Sequence, residues 1–204
     1  MTMQELGRFL GAAVKGEADY EIRGVRDVER LAPEQALEEH FLYFIESMAI
    51  LKRHPLAAQS GAVLTTAALA GNFRRALVVS GDARLVFIRL LSHFDKAPKF
   101  PAGVSSQAIV DSTARIGPGA CVMAGATVMS GAVVGERCTL YPGVVLEPHA
   151  EIGEGTVLYP NVVVGHHCVV GRRGIIHGGT VIGADGFGFY DEKGGRHKVP
   201  QIGN

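Results

Sequence analysis

The sequence contains no tryptophan, few aromatic residues and no excess of charge of either sign. Aromatic side chains make up only 7% of the chain, so we expect a core of small and branched aliphatic side chains. Because 20 Lys and Arg balance 20 Asp and Glu, the composition argues against a basic surface for nucleic acid or for an anionic membrane. No apolar run approaches the roughly 18 residues of a membrane-spanning helix. The charged N-terminus also lacks the apolar segment of a secretion signal.

Cysteine is scarce as well. Cys121, Cys138 and Cys168 form no C-x-x-C pair, and their odd number suggests neither a disulfide framework nor a zinc knuckle. The spacing of Cys138 and Cys168 matches that of small side chains in a repeat described below, so we interpret them as small hydrophobic residues rather than reactive thiols. This cysteine usage predicts a protein of the reducing cytoplasm.

What the sequence does contain is a repeat of six residues over its second half. Every sixth residue from position 104 to position 182 is Val, Ile or Leu, and a second column, four residues after the first, holds no large and no charged side chain. This period matches neither an α-helix nor a simple strand. It predicts short parallel strands that bend at every sixth residue, with three strands in each 18-residue coil. The aliphatic column, which we expect to fill the coil, is Val104, Val110, Ile116, Val122, Val128, Val134, Leu140, Leu146, Ile152, Leu158, Val164, Val170, Ile176 and Ile182.

The coil also predicts the surroundings of residues outside these two columns. Glycine often follows the aliphatic residue directly, where we expect the turn of the chain to require a positive φ; these glycines are Gly117, Gly135, Gly153, Gly165, Gly171 and Gly183. Residues 18 apart should stack about one strand spacing from each other, roughly 4.8 Å. The spacing therefore predicts two ring columns, one of Tyr141, Tyr159 and His177 and one of His149 and His167.

The first hundred residues lack the six-residue period and indicate a small α/β domain over 1–96, followed by a linker over 97–103. Thr2 and Glu5 form a capping-box pattern at a first helix. Strands are predicted over 21–25, 61–66 and 76–80. A closing helix begins after Ser80 or Asp82, and its expected inward face carries Leu85, Ile88, Leu91 and Phe94. The repeat domain spans 104–204, with a loop excursion over 184–201.

One segment resembles a known family. Residues 183–188 read Gly-Ala-Asp-Gly-Phe-Gly and residues 198–203 read Lys-Val-Pro-Gln-Ile-Gly. A GxDGFG loop with a K-[IV]-P-Q-[IL]-G return resembles the bacterial UDP-3-O-acylglucosamine N-acyltransferases of lipid A synthesis. The likeness spans most of this chain but about the first three-fifths of a family member. It implies a mixed fold, in which a small α/β domain precedes a left-handed parallel β-helix of hexapeptide repeats.

The resemblance also implies an activity. Members of the family are homotrimers that transfer a 3-hydroxyacyl chain from acyl carrier protein to the 2-amine of UDP-3-O-acylglucosamine. The phosphopantetheine thioester of the carrier is the co-substrate, and no cofactor or metal is used. A histidine acts as general base and backbone N–H groups meet the oxyanion. That histidine lies in coils C-terminal to the return, so no residue of this chain is carried over as catalytic.

Four residues are carried over as substrate-binding. Asp185 and Phe187 of the loop are expected in the substrate groove. The family's uracil motif F-x-x-N-P-x-Y corresponds to residues 44–50, where Phe44 is retained, Ser47 replaces Asn and Ile50 replaces Tyr. The ring of Phe44 is therefore the expected stacking platform or, equally, a core residue. The loss of an amide and a phenol is expected to leave the uracil edge less well paired.

Alternatives remain for the histidines and for the function. His166, His167 and His177 suggest a metal site, but His167 is expected to stack on His149 while His177 lies at a different position of the repeat. We expect surface or trimer-interface positions, with a general base as the remaining alternative. The adjacent Arg172 and Arg173 are expected to be solvated. A second hypothesis for the chain is a shortened, non-catalytic paralogue that acts as a binding or assembly subunit. A third is a hexapeptide transferase for another nucleotide sugar.

Overall fold

The computed structural model describes residues 1–59 and 61–200, and the chain divides into two compact units. The N-terminal unit, Met1–Ala97, has one five-stranded sheet in the order β1-β5-β4-β3-β2, in which β2 to β5 are parallel and β1 is antiparallel to β5. Its elements are α1 (Met3–Leu10), β1 (Ala13–Lys15), β2 (Gly24–Arg26), β3 (Phe41–Phe44), α2 (Met48–Arg53), β4 (Ala62–Thr66), β5 (Ala76–Val79) and α3 (Ala83–Phe94), with short 3-10 helices at Val28–Arg30, Pro55–Ala58 and Ala70–Asn72.

Local sequence signals account for the first helix. The Thr2 hydroxyl accepts a hydrogen bond from the Glu5 amide at 3.2 Å, and the Glu5 carboxylate accepts one from the Thr2 amide at 2.8 Å, so the predicted capping box is confirmed. The helix ends at Gly11, whose φ of 65° is left-handed. The predicted strands over 61–66 and 76–80 are confirmed, whereas the strand expected over 21–25 begins only at Gly24.

The inward face predicted for helix α3 was wrong for three of its four residues, and the fourth, Phe94, packs against the core. Asp82 caps the helix as expected, but Leu85, Ile88 and Leu91 are exposed. The helix instead buries Ala83 and Leu90 against the sheet and packs Val86, Phe87 and Phe94 beside them. Both faces are apolar in the sequence, so helical periodicity alone did not distinguish them.

The second unit begins at Pro98 and is the predicted left-handed parallel β-helix. Its strands form three walls of five, four and five strands, and each strand pairs with the one 18 residues later, as Leu140 does with Leu158. The strands are β6 (Gly103–Val104), β7 (Ile109–Val110), β8 (Arg115–Ile116), β9 (Cys121–Val122), β10 (Thr127–Val128), β11 (Val133–Val134), β12 (Thr139–Leu140), β13 (Val145–Leu146), β14 (Glu151–Ile152), β15 (Val157–Leu158), β16 (Val163–Val164), β17 (Val169–Val170), β18 (Ile175–Ile176) and β19 (Val181–Ile182).

The two inward columns are confirmed. Every member of the aliphatic column from Val122 to Val170 is buried, and so is every member of the small column from Ala120 to Cys168. Members of the terminal coils are only partly covered, and Val104 is 49% exposed, because a terminal coil has a neighbour on one side only. The predicted linker is one residue too long, because Gly103 belongs to strand β6, where it pairs with Cys121 of strand β9.

The glycine prediction was wrong in its position. Positive φ angles recur three residues after the aliphatic residue rather than one, at Gly119, Gly125, Gly131, Arg137, Gly143, His149, Gly155, Asn161, His167, Arg173 and Gly179. Of the six glycines that directly follow an aliphatic residue, only Gly183 has a positive φ. Four of the others, Gly117, Gly135, Gly153 and Gly165, meet a different need, because successive coils approach closely there, whereas a Cβ on Gly171 would meet no atom within 4 Å. A Cβ on Gly117 would lie 2.7 Å from the Glu136 amide nitrogen, and one on Gly153 would lie 2.6 Å from the Gly171 carbonyl carbon.

The predicted excursion contains a small antiparallel hairpin. Strands β20 (Phe189–Glu192) and β21 (Gly195–Lys198) pair from Phe189 with Lys198 to Glu192 with Gly195. An ion pair of Arg196 with Asp191 runs across it, and His197 Nε2 lies 3.0 Å from the Glu192 carboxylate. The last part of the return motif, Gln201 to Gly203, lies outside the described residues.

Candidate functional site

A groove of 610 Å³ opens at the carboxyl ends of strands β2 and β3, beside helix α3. In open α/β sheets, ligands bind outside the carboxyl ends of the parallel strands. An apolar lining with a few polar groups is typical of small-molecule sites. The apolar lining residues are Val25, Val28, Phe44, Ile50, Phe87, Ile88 and Leu91, and the charged ones are Arg26, Asp27, Glu29, Glu46 and Arg84.

Phe44 lies in this groove at the end of strand β3. Its ring is parallel to that of Phe87, with centroids 4.5 Å apart and planes 9° from each other. Both rings are half-buried and pack against the core beneath the sheet. The two expectations for Phe44 are thus compatible, because the ring contributes to the core and also lines the groove. A ligand ring would add a layer to an existing two-ring stack.

Ser47 does not share that position. It is the N-cap of helix α2, where its hydroxyl accepts a hydrogen bond from the Ile50 amide at 3.3 Å, and it is not among the groove-lining residues. Ile50 does line the groove, with an apolar side chain. The structure therefore brings Phe44 and Ile50 together but leaves Ser47 in a structural role.

The two arginines that line the groove each form an ion pair with a carboxylate. The Arg84 guanidinium donates to the Glu46 carboxylate, and this hydrogen bond raises the pKa of Arg84. Arg26 lies 4.2 Å above the Phe41 ring and pairs with Glu38 at 3.3 Å. Both guanidiniums of the lining thus have a carboxylate partner.

Sequence reasoning missed Glu46, Arg84 and Phe87. Glu46 lies inside the stretch matched to the uracil motif and could have been noticed there. Arg84 and Phe87 are on helix α3. Because the inward face of that helix was predicted incorrectly, these two residues were not expected beside strand β3. No local pattern in the sequence links them to residues 44–46.

Asp185 and Phe187 belong to the second unit, in the loop that follows strand β19. The Asp185 carboxylate forms an ion pair with Lys198 of strand β21, which ties the loop to the hairpin. Phe187 is 92% exposed and meets Phe189 edge-on, with centroids 5.1 Å apart. A ring this exposed contributes little to the core of its own unit and is available for contact.

The predicted ring columns are confirmed. Tyr141 stacks on Tyr159 at 4.9 Å and Tyr159 on His177 at 5.3 Å, while the ring of Phe100 meets Tyr141 edge-on. At another corner, His149 stacks on His167 with centroids 4.9 Å apart. Imidazoles stacked face to face direct their nitrogens sideways rather than toward a common ion. Within residues 1–59 and 61–200, no three His, Cys, Asp or Glu side chains are grouped so that they could hold a metal ion.

The remaining sequence candidates have ordinary surroundings. Cys121, Cys138 and Cys168 are buried free thiols, and burial raises the pKa of Cys121 and of Cys138, as expected for small hydrophobic residues rather than nucleophiles. Arg172 and Arg173 are exposed, as predicted. In the described part of the chain, no helix combines the length and the apolar character required to cross a bilayer.

Comparison with protein families supports the repeat. The family model described as bacterial transferase hexapeptide (six repeats) matches residues 113–148 and 149–184. These two segments lie wholly within the β-helix.

Relatives with an assigned activity extend the similarity to the N-terminal unit. The chain is 42% identical over 203 residues to the UDP-3-O-acylglucosamine N-acyltransferase of Cellvibrio japonicus. This match covers 100% of this chain and 58% of that protein. It is 36% identical over 202 residues to the enzyme of the same name from Pseudomonas paraeruginosa, covering 99% of this chain and 55% of that protein. With the Pseudomonas aeruginosa LESB58 protein the match is 37% over 121 residues, or 32% of that protein. The chain therefore spans at most about three-fifths of these relatives.

Solved structures give weaker matches. A mutant of perosamine N-acetyltransferase from Caulobacter crescentus, in complex with CoA and GDP-perosamine, is 24% identical with a TM-score of 0.23, over 52% of this chain and 64% of that one. The acetyltransferase domain of PglB from Neisseria gonorrhoeae is 18% identical with a TM-score of 0.21, over 78% of this chain and 86% of that one. TM-scores this low support no functional conclusion.

Proposed function

The chain is a relative of the N-terminal portion of the UDP-3-O-acylglucosamine N-acyltransferases, among the hexapeptide-repeat transferases, and from this we propose that it is part of an enzyme that acylates a UDP-sugar. The proposed reaction transfers a 3-hydroxyacyl chain from acyl carrier protein to the 2-amine of UDP-3-O-acylglucosamine. The amine forms an amide bond with the acyl carbonyl, and the carrier's phosphopantetheine thiol leaves. The thioester is a co-substrate, so the proposal includes no bound cofactor.

The observation that carries this proposal is the 42% identity over 203 residues, because it includes both units of the chain. A hexapeptide repeat alone supports only a transferase of unspecified substrate, since one fold serves many chemistries. The N-terminal unit is what links the repeat to a nucleotide sugar.

The groove of the N-terminal unit supports nucleotide binding. Its parallel Phe44 and Phe87 rings suit a planar base, and its apolar lining excludes water from the stacked faces. The paired guanidiniums leave little free positive charge, so the proposal places the base in the groove and the diphosphate outside it.

The loop of the second unit is proposed to contact the same substrate or its acyl group. Phe187 supplies an exposed apolar surface, and the Asp185–Lys198 ion pair holds the loop in one conformation. These roles follow from the resemblance of the loop to the family's GxDGFG motif. No histidine of the chain is assigned as the general base.

The proposal extends to assembly and location. We propose a homotrimer that interacts with acyl carrier protein, in the cytoplasm. Three buried, unpaired thiols are consistent with a reducing compartment.

A second candidate is a transferase for a different nucleotide sugar. The observation that favours it is the loss of the polar groups at positions 47 and 50, where Ser47 caps a helix and Ile50 is apolar. Titration with GDP, ADP and CDP alongside UDP separates the two candidates, since the first requires UDP to bind most tightly.

Titration of UDP into the chain, followed by calorimetry, tests the first candidate. We expect UDP to bind, and Phe44→Ala to weaken binding by about ten-fold or more, because stacking of a base on an aromatic ring contributes about 1–3 kcal/mol. Phe9→Ala is the matched control, since Phe9 is an exposed ring of the same unit outside the groove. Absence of UDP binding, or equal binding by Phe44→Ala and the wild type, would contradict the proposed site.

A further inference from the structure

The groove has a charged pair directly beside its aromatic pair. Phe44 is the last residue of strand β3, and Glu46 follows two residues later. Arg84 and Phe87 lie three residues apart on helix α3. Phe44 stacks on Phe87, and Glu46 pairs with Arg84, so the same two segments are joined twice. Residues three apart on a helix share a face, which places the charged pair at the border of the ring stack.

The two positions that would otherwise supply polar groups do not do so. The Ser47 hydroxyl is engaged with the Ile50 amide, and Ile50 presents only carbon atoms to the groove. A base stacked on Phe44 would need partners for its edge groups among the charged lining residues, and Glu46 and Arg84 come from the same two segments as the stacked rings. Unpaired polar groups in a site of this kind reduce both affinity and selectivity.

The exposure of the two side chains fits such a role. The Glu46 side chain is 26% exposed, while the Arg84 side chain is 69% exposed and has N–H groups beyond those that face Glu46. A carboxylate oxygen accepts a hydrogen bond, and the neighbouring guanidinium donates one. Uracil presents the complementary edge, in which the N3–H donor lies next to a carbonyl acceptor.

We propose that Glu46 and Arg84 together are the specificity-determining pair of the groove, with Glu46 accepting a hydrogen bond from uracil N3–H and Arg84 donating one to the adjacent carbonyl. The proposal rests on the proposed function, because it requires a uracil ring on the Phe44 stack. It assigns to these two residues the edge recognition that positions 47 and 50 cannot provide in this chain.

Replacing the N3 hydrogen of uracil by a methyl group tests the proposal in the wild-type chain. Calorimetric titration compares UDP with N3-methyl-UDP, which differ only at the atom that Glu46 would contact. We expect methylation to weaken binding by about ten-fold or more, as hydrogen bonds to charged groups are strong. Equal affinity for the two nucleotides overturns the proposal, and this arm does not depend on the folding of any variant.

Glu46→Leu supplies the second arm. We expect this variant to bind UDP and N3-methyl-UDP with equal affinity, because the acceptor is gone. Glu29→Leu is the matched control: Glu29 also lines the groove, but it pairs with Arg53 at 2.8 Å, and we expect its variant to retain the discrimination. If Glu46 only held helix α3 in place, its loss would weaken the binding of UDP and of N3-methyl-UDP equally. The ratio of the two affinities would then stay as in the wild type, and this result would overturn the proposal.

The outcomes also separate this inference from the proposed function. UDP binding that is lost in Phe44→Ala but insensitive to N3 methylation contradicts the inference alone. A chain that binds no UDP contradicts the proposed nucleotide site, and the inference is then overturned with it.

Discussion

At the scale of single residues, the interior of the β-helix is a column in which almost every member is hydrocarbon or a thiol. Thr156 is a buried exception, and its hydroxyl is fully used. It donates to the Gly171 carbonyl at 2.8 Å and accepts from the Gly174 amide at 2.9 Å. Its position in the small column made it look like a filler of space, whereas it joins two successive coils through hydrogen bonds.

Thr156→Val therefore tests whether this hydroxyl stabilises the coil. The substitution preserves the shape but leaves a carbonyl and an amide without their partner, and we expect a loss of about 1–3 kcal/mol in the free energy of unfolding. Urea denaturation followed by circular dichroism measures it. Thr127→Val, on the outward side of a strand, is the control and should change stability much less. Equal effects of the two substitutions would show that the hydroxyl of Thr156 is unimportant.

The residues of the groove show where single-residue reasoning was sufficient and where it was not. Phe44 was identified from the motif, and the structure places it in the groove. Ser47 was identified from the same motif, but its hydroxyl caps helix α2, as serine commonly does at that position. Glu46 acquires a role only through Arg84, 38 residues away in sequence, and no local signal predicts that contact.

At the scale of elements, the hexapeptide coil uses glycine for two distinct purposes. Three residues after the aliphatic residue, the backbone turns through a left-handed conformation, which glycine adopts easily and which His149 and His167 also adopt here. Directly after the aliphatic residue, Gly117, Gly135 and Gly153 instead accommodate the close approach of the next coil.

Gly153→Ala tests the second purpose. The added Cβ would lie 2.6 Å from the Gly171 carbonyl carbon, and we expect the resulting shift of the coils to cost about 1–3 kcal/mol of stability. Gly171→Ala is an internal control at the same position of the repeat, since a Cβ there meets no atom within 4 Å. Thermal denaturation compares the two variants. A Gly171→Ala chain that is destabilised as much as Gly153→Ala would refute the close-approach explanation.

Helix α3 illustrates a different limit at this scale. The start of the helix was predicted from two candidate caps, Ser80 and Asp82, and Asp82 is the cap that the structure shows. Capping can be predicted in this way because it depends on neighbouring residues only. Its buried face was not, because both sides carry apolar residues and the sheet decides between them. The exposed Ile88 and Leu91 then become part of the groove lining rather than of the core.

At the scale of the whole molecule, the single β-helix leaves aliphatic side chains uncovered on its walls. Ile109, Val169, Ile175 and Val181 are each more than half exposed in the isolated chain. They are divided among the three walls, with Ile109 and Val181 on one wall, Val169 on the second and Ile175 on the third. Outward-facing apolar side chains of this kind are candidates for contacts between subunits of the proposed homotrimer.

Light scattering tests the trimer directly. We expect a mass three times the 21.6 kDa of the chain at micromolar concentration. Charged substitutions of exposed wall residues, such as Val181→Asp, should lower that mass while the far-ultraviolet circular dichroism stays the same, because the side chain points away from the coil interior. A wild-type mass of one chain would contradict the trimer.

The sequence by itself determined the β-helix, its 18-residue coil, its two inward columns and its stacked outer rings. It did so because these features repeat at a fixed local spacing, and each 18-residue coil has the same alternation of inward and outward side chains. The tertiary structure alone decided which face of helix α3 is buried, and that Phe44 and Glu46 meet Phe87 and Arg84. Those contacts join segments distant in sequence, and their geometry depends on how a helix packs on a sheet rather than on any spacing along the chain.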